Sequence, residues 1–251
     1  MMKYCIIVWV CCVGLSVAAQ DVNVLIKEAS NLEKQLKEAD AYKKYEQVTV
    51  LDAKNITALV KCAEINCAMG MRQKEEAAKA NYYSAAHKFA LQAYAVDSNN
   101  ADACYAIAMV SGKMTEVADD NRQILAYARD TKKYAEKAIR LNPDHAKANY
   151  TLGKWHLEMD NLSWIKKAAA KAIKGGLPKA DIDSAVYYME QCRKLDMYFV
   201  RNYLDLAKAY ESKSRPMQEM DVLNKLVKLP NRTPDDAALK EEGRQMLAKI
   251  Q

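Results

Sequence analysis

The chain is sparing with the residues that build tight, chemically active loops, having 7 glycines, 5 prolines, 3 histidines and 2 phenylalanines among 251 residues. There is no glycine-rich phosphate cradle, no G-x-S-x-G and no H-E-x-x-H, so the commonest phosphoryl-transfer, esterase and metalloprotease arrangements are excluded. His87, His145 and His156 stand far apart, and Cys62, Cys67, Cys104 and Cys192 form no C-x-x-C pair. No metal or cofactor is expected from such spacing, and the four cysteines read as small core residues. Acid–base or nucleophilic catalysis needs titratable groups converging on one pocket, and none is recognisable. His156 reads as a packing residue, and the chain as no enzyme. The formal net charge is +6, spread without dense basic runs, so nucleic acid is not an expected partner.

Long apolar runs are also lacking, apart from one at the start. Lys3 precedes an apolar run from Cys5 to Val17, and Val17-Ala18-Ala19 supplies the small residues that a signal peptidase reads. The run is shorter than the roughly 20 residues that span a bilayer. Trp9 and Val10 stand where a lipoprotein signal would carry small residues before Cys11 or Cys12. Residues 1–19 are therefore expected to be a signal peptide, cleaved before Gln20. The remaining 20–251 are expected to be exported, to the periplasm or the medium in a bacterium.

With 51% apolar residues the remainder can bury a substantial core, and its organisation is repetitive. The pieces LDA from Leu51, VDS from Val96, LNP from Leu141, LDM from Leu195 and LPN from Leu229 each close an apolar-periodic helix, at intervals of 45, 45, 54 and 34 residues. The stretch Asn149-Tyr-Thr-Leu152-Gly153-Lys-Trp-His156 resembles the W-x2-L-G-x2-Y element of the tetratricopeptide repeat, and Tyr203-Leu-Asp-Leu206-Ala207-Lys-Ala-Tyr210 fits it better. Small residues recur where paired helices come closest, as in Ala29 with Ala41, Ala63 with Ala86, and Gly153 with Ala185; Thr131 and Glu219 depart from this. The expected fold is an all-α, tetratricopeptide-like α-solenoid of about five helix pairs, starting near residues 22, 56, 101, 146 and 200. Several units carry lengthened helices or an inserted helix, and residues 235–250 form a C-terminal capping helix.

Gly153-Lys-Trp155, Leu162-Ser-Trp164-Ile followed by Lys166-Lys167, the break from Gly175 to Pro178, and Leu229-Pro230-x-x-Thr233-x-x-Asp236 together resemble the regulator of microtubule dynamics protein family. Gly112-Lys-Met-Thr-Glu116 and Lys137-Ala-Ile-Arg-Leu-Asn-Pro143 are also similar. The resemblance implies a helical, non-catalytic domain, with association with microtubules or lipids in some members, and carries no set of binding residues onto this chain. An exported protein would not meet tubulin, so the fold is taken from the resemblance and the tubulin role is not.

In a tetratricopeptide stack the first helix of each pair lines a concave groove. The positions facing it are Lys147, Tyr150, Lys154 and Leu157 in the fourth unit and Arg201, Leu204, Lys208 and Glu211 in the fifth. Cations on adjacent helices beside Tyr150 and Leu204 suit a carboxylate or phosphate on an extended ligand. The earlier positions Thr57, Val60, Glu64, Cys67, Asp102, Tyr105 and Met109 are not basic. The segment from Asn161 to Asp181 reads as an amphipathic helix. Lys166, Lys167, Lys171 and Lys174 fall within about 140° of one another, and Trp164, Ile165, Ala168, Ala169, Ala172 and Ile173 occupy the other side. Alanine buries little area in a bilayer, which favours packing against a neighbouring helix over membrane binding. The expected function is an exported scaffold or adaptor holding a protein partner or acidic peptide in its groove. The alternative is a lipid- or envelope-associated carrier, using the lysine helix on an anionic lipid surface.

Overall fold

The computed structural model describes residues 21–162 and 176–250, and every regular element among them is an α-helix. Residues 21–34 form α1, followed by α2 (Glu38–Leu51), α3 (Ile56–Met71), α4 (Glu76–Val96), α5 (Ala101–Met114) and α6 (Asn121–Leu141). The second half holds α7 (Ala146–Asp160), α8 (Ile182–Leu195), α9 (Val200–Ser212), α10 (Pro216–Leu226) and α11 (Asp236–Ile250). Helices pair as α3 with α4, α5 with α6, α7 with α8 and α9 with α10, and each second helix also packs on the next first helix. The first helices α3, α5, α7 and α9 touch in series, and α11 covers α9 and α10. The long intervals in the middle of the chain have a simple origin in part: α4 and α6 have 21 residues each, against 14 for α2 and α8.

The recurring LDA, VDS, LNP and LDM pieces are one turn made four times. Asp52, Asp97, Asn142 and Asp196 each accept the backbone N–H two residues on, at 2.8–3.1 Å. Their own N–H groups donate to the carbonyls of Val48, Ala93, Ala138 and Cys192, closing the preceding helix. Such side chains stabilise a turn by mimicking a backbone acceptor. Three residues later Asn55, Asn100 and the His145 Nδ1 each accept an N–H in the first turn of the next helix at 3.1 Å. The hydrophobic residue before each turn is not core: Leu51 is 57% exposed, and Val96, Leu141 and Leu195 are also exposed. At Leu229 the pattern changes because Pro230 has no N–H. There Asp236 accepts from the N–H groups of Arg232 (2.7 Å) and Thr233 (2.9 Å).

Where paired helices cross, the small residues are fully buried, including Ala29, Ala41, Ala63, Ala86 and Ala185. At Gly153 the backbones themselves come close, since a Cβ there would lie 2.8 Å from Met189 Cγ and 3.1 Å from both the Ala185 carbonyl oxygen and the Met189 nitrogen. Thr131, which breaks the small-residue pattern, is accommodated by Gly112 opposite, where a Cβ would sit 3.7 Å away. Its hydroxyl donates to the Tyr127 carbonyl at 2.9 Å. The apolar interior forms successive clusters along the stack, the first around Tyr45 and Val48 and the last around Leu206 and Leu223. Cys62, Cys67, Cys104 and Cys192 are free and buried; burial pushes the thiols of Cys62 and Cys67 up to about 12, so they are protonated and inert.

Candidate partner-binding groove

Lys147, Tyr150 and Lys154 lie on α7, and Arg201, Leu204 and Lys208 on the neighbouring α9. Leu204 is not available to a ligand, being 1% exposed within the last core cluster. Tyr150 is buried, packs edge-on against Phe199 at 4.9 Å, and donates its hydroxyl to Asp205 Oδ2 at 2.7 Å. Lys154 Nζ is 3.3 Å from that oxygen and 3.1 Å from Glu158. Burial raises the Asp205 carboxyl, but the Lys154 charge and the Tyr150 hydrogen bond outweigh it and hold Asp205 low. Burial likewise opposes the Lys154 charge, and the groups around it raise that lysine instead.

The other three cations are also met by carboxylates of the same chain. Lys147 Nζ reaches across α5 to Glu64 Oε1 on α3 at 2.5 Å, 6.0 Å from the centre of the Tyr105 ring. Lys61 approaches the same carboxylate at 3.5 Å. Burial raises Glu64, yet Lys147 and Lys61 together hold it down at about 2. Arg201 Nη2 lies 3.3 Å from Asp235 Oδ2, and Lys208 Nζ 2.7 Å from Glu242 on α11. A contact from α7 to α3 over α5 requires the stack to curve toward this face, so the first helices form its concave side.

Repeat register places the four cations and Glu64 on this face, and it does not give Asp205, Asp235 or Glu242 as partners. Asp205 was legible as a lone carboxylate between Leu204 and Leu206, both buried. Arg72, just beyond α3, donates to Asp235 Oδ1 at 3.0 Å and pairs with Glu38; no repeat position marks it. The inner face is therefore a line of alternating charges. Lys147, Lys154, Arg201 and Lys208 all keep 28–40% of their side chains exposed, so an incoming carboxylate can reach them; Lys154 differs in its partner, because Asp205 is buried and losing that lysine would leave its charge uncompensated.

Two open clefts accompany the groove. One of about 500 Å³ lies between α9, α10 and α11, lined by Lys208, Glu211, Glu219, Glu242 and Lys249 among others. Burial and the nearby Glu211 raise Glu219, the residue that breaks the small-residue pattern in the fifth unit. The other, of about 490 Å³, lies between α2, α3 and α4 beside Leu59 and Phe89. His156 is buried, stacks on Tyr188 at 5.9 Å, and accepts the Asp181 N–H on Nδ1 at 3.3 Å; burial lowers its pKa. Among the described residues no group of three His, Cys, Asp or Glu could hold a metal ion, and no helix is long and apolar enough to cross a membrane. Lys166, Lys167, Lys171 and Lys174, like the N-terminal signal, lie outside the described residues.

Comparison with known proteins follows the same lines. The chain is 28% identical over 114 residues to regulator of microtubule dynamics protein 1 of Caenorhabditis elegans, covering 45% of this chain and 50% of that one. It is 24% identical over 170 residues to regulator of microtubule dynamics protein 3 of Bos taurus, covering 67% and 36%. The chain thus spans half or less of the length of these curated relatives. Among solved structures it superimposes on a thermophilic TPR protein of Thermus thermophilus with a TM-score of 0.66 at 14% identity, covering 90% of this chain and 99% of that one. It also superimposes on PilW, described as a type IV pilus biogenesis factor, with a TM-score of 0.54 at 15% identity, covering 91% and 90%. Both likenesses concern the fold alone, and the first is to a tetratricopeptide-repeat protein. The profile described as "Regulator of microtubule dynamics protein 1-3" matches residues 25–251, nearly the whole helical stack, and the chain belongs to that family.

Proposed function

We propose that this protein is an exported, non-catalytic scaffold whose concave face, built by α3, α5, α7 and α9, holds an acidic segment of a protein partner. The observation that carries this reading is the set of partly exposed ion pairs of Lys147, Arg201 and Lys208 on adjacent first helices. Each already holds a carboxylate, so the chemistry required of a ligand is present at the site. An acidic ligand exchanges with an in-chain partner rather than neutralising a bare charge, which lowers affinity while keeping selectivity for anions. Export rests on Lys3, the Cys5 to Val17 run and the small residues before Gln20, and separates the chain from tubulin.

The test is a fluorescence anisotropy titration of the mature chain with a labelled twelve-residue Glu/Ala peptide and its Gln/Ala counterpart. The acidic peptide binds more tightly, and Lys208→Glu weakens it about tenfold. Lys208 is the position of choice because its pair with Glu242 is exposed, whereas Lys154→Glu would set a third carboxylate beside Asp205 and Glu158. Equal affinity for the two peptides, or no effect of Lys208→Glu, contradicts the reading.

A further inference from the structure

We infer that Arg72 and Arg201 form an anion seat, that Asp235 occupies it from within the chain as a clasp, and that an acidic ligand opens the clasp by taking Asp235's place. Asp235 precedes α11 at the C-terminal end of the stack, and Arg72 follows α3, 163 residues earlier in sequence. Its two oxygens go to different helices: Oδ1 lies 3.0 Å from Arg72 Nη1, and Oδ2 lies 3.3 Å from Arg201 Nη2 at the start of α9. Glu38, at the start of α2, pairs with Arg72 from the other side. The groups keep 16–35% of their side-chain surface, so water and ions reach them.

Three observations separate this clasp from ordinary packing. The loop that carries Asp235 does not need it. Asp236 accepts from Arg232 N, Thr233 N and the Thr233 hydroxyl, and Lys240 donates to the Leu229 carbonyl at 2.6 Å and to Asn231 at 3.1 Å. Among the described residues the two ends share no apolar cluster: buried side chains of α3 belong to the first cluster and to one that extends to Ala138 and Ala148, and Leu239, Met246, Leu247 and Ile250 of α11 join the C-terminal one. The link is therefore made of charges, and charged contacts at this exposure are weakened by salt and exchanged by competing anions. Third, one of the arginines, Arg201, belongs to the inner row of α9, so a carboxylate arriving in the groove meets Asp235 as its rival.

The inference rests on the groove reading above, and its test separates the two. Nitroxide labels at Lys74→Cys and Glu241→Cys report the distance between the end of α3 and α11 without any ligand; the native cysteines are buried. Asp235→Asn and Arg72→Gln each shift that distance to larger values, the double variant no further than either single one. The same Glu/Ala peptide then distinguishes the roles. Asp235→Asn frees the seat and binds it about fivefold more tightly, the change expected on removing one competing ion pair of this kind. Arg72→Gln removes half of the seat and binds it more weakly. An unchanged distance in both variants overturns the clasp, and weaker peptide binding in both overturns the seat. If no variant binds the peptide while the distance still opens, the groove reading fails and the anion seat with it, leaving Asp235 as a structural link.

Discussion

Substituting Gly153 by alanine isolates the contact that sets the spacing of α7 and α8. The added Cβ would lie 2.8 Å from Met189 Cγ and 3.1 Å from both the Ala185 carbonyl oxygen and the Met189 nitrogen. Two of those three atoms are backbone, so rotating Met189 relieves only part of the overlap and the helices must separate. Overpacking of this kind costs about 1–3 kcal/mol, and the better helix propensity of alanine returns up to about 1 kcal/mol. The expected net loss is about 1 kcal/mol, or roughly 2–4 °C in Tm for a chain of this size. Gly112→Ala is the matched control, because its Cβ would meet nothing closer than 3.7 Å. There the propensity term acts nearly alone and stability rises by about 0.5–1 kcal/mol. Urea unfolding measures both, with an unchanged m-value showing that the denatured state is unaltered. A Gly153→Ala protein as stable as its parent, or two variants that shift alike, would refute the close-approach argument.

Three further outcomes follow from the ion pairs. Glu64 ionises near 2 instead of near 4.5, so its folded anion contributes roughly 3 kcal/mol, present above pH 4.5 and lost as pH falls toward 2. The stability gap between the parent and Glu64→Gln, followed by urea midpoints, should close over that interval; a constant gap argues against the Lys147 and Lys61 pairing. Tyr150→Phe takes a donor from the buried Asp205 and should cost about 1–2 kcal/mol, read as a lower urea midpoint. Lys208→Glu should change stability by less than about 1 kcal/mol, which makes any binding defect attributable to the groove.

Much of the fold was legible because the repeated signals have local causes. The LDA-like pieces encode an Asp or Asn that closes one helix and turns the chain into the next, and Gly153 with Ala185 encodes a close crossing. The apolar residue opening each piece was misleading, since Leu51 and Leu141 complete a helical period yet stay in solvent. Thr131 looked like a defect because its compensation, Gly112, lies on another helix. The groove cations and Glu64 followed from repeat register, and the pairings did not. Glu64, Asp235 and Glu242 reach Lys147, Arg201 and Lys208 only through the curvature of the stack and the docking of α11. Curvature sums small rotations over many helices, and no short stretch of sequence encodes it.

The location of the bound acidic peptide is the most direct test of the groove. Carbodiimide coupling joins peptide carboxylates to lysines within salt-bridge distance, and mass spectrometry identifies the lysines modified. Conjugates concentrated at Lys147 and Lys208, and suppressed by excess unlabelled peptide, are the predicted result. Coupling spread evenly over lysines of the second helices, such as Lys43 and Lys133, would contradict a partner held on the concave face.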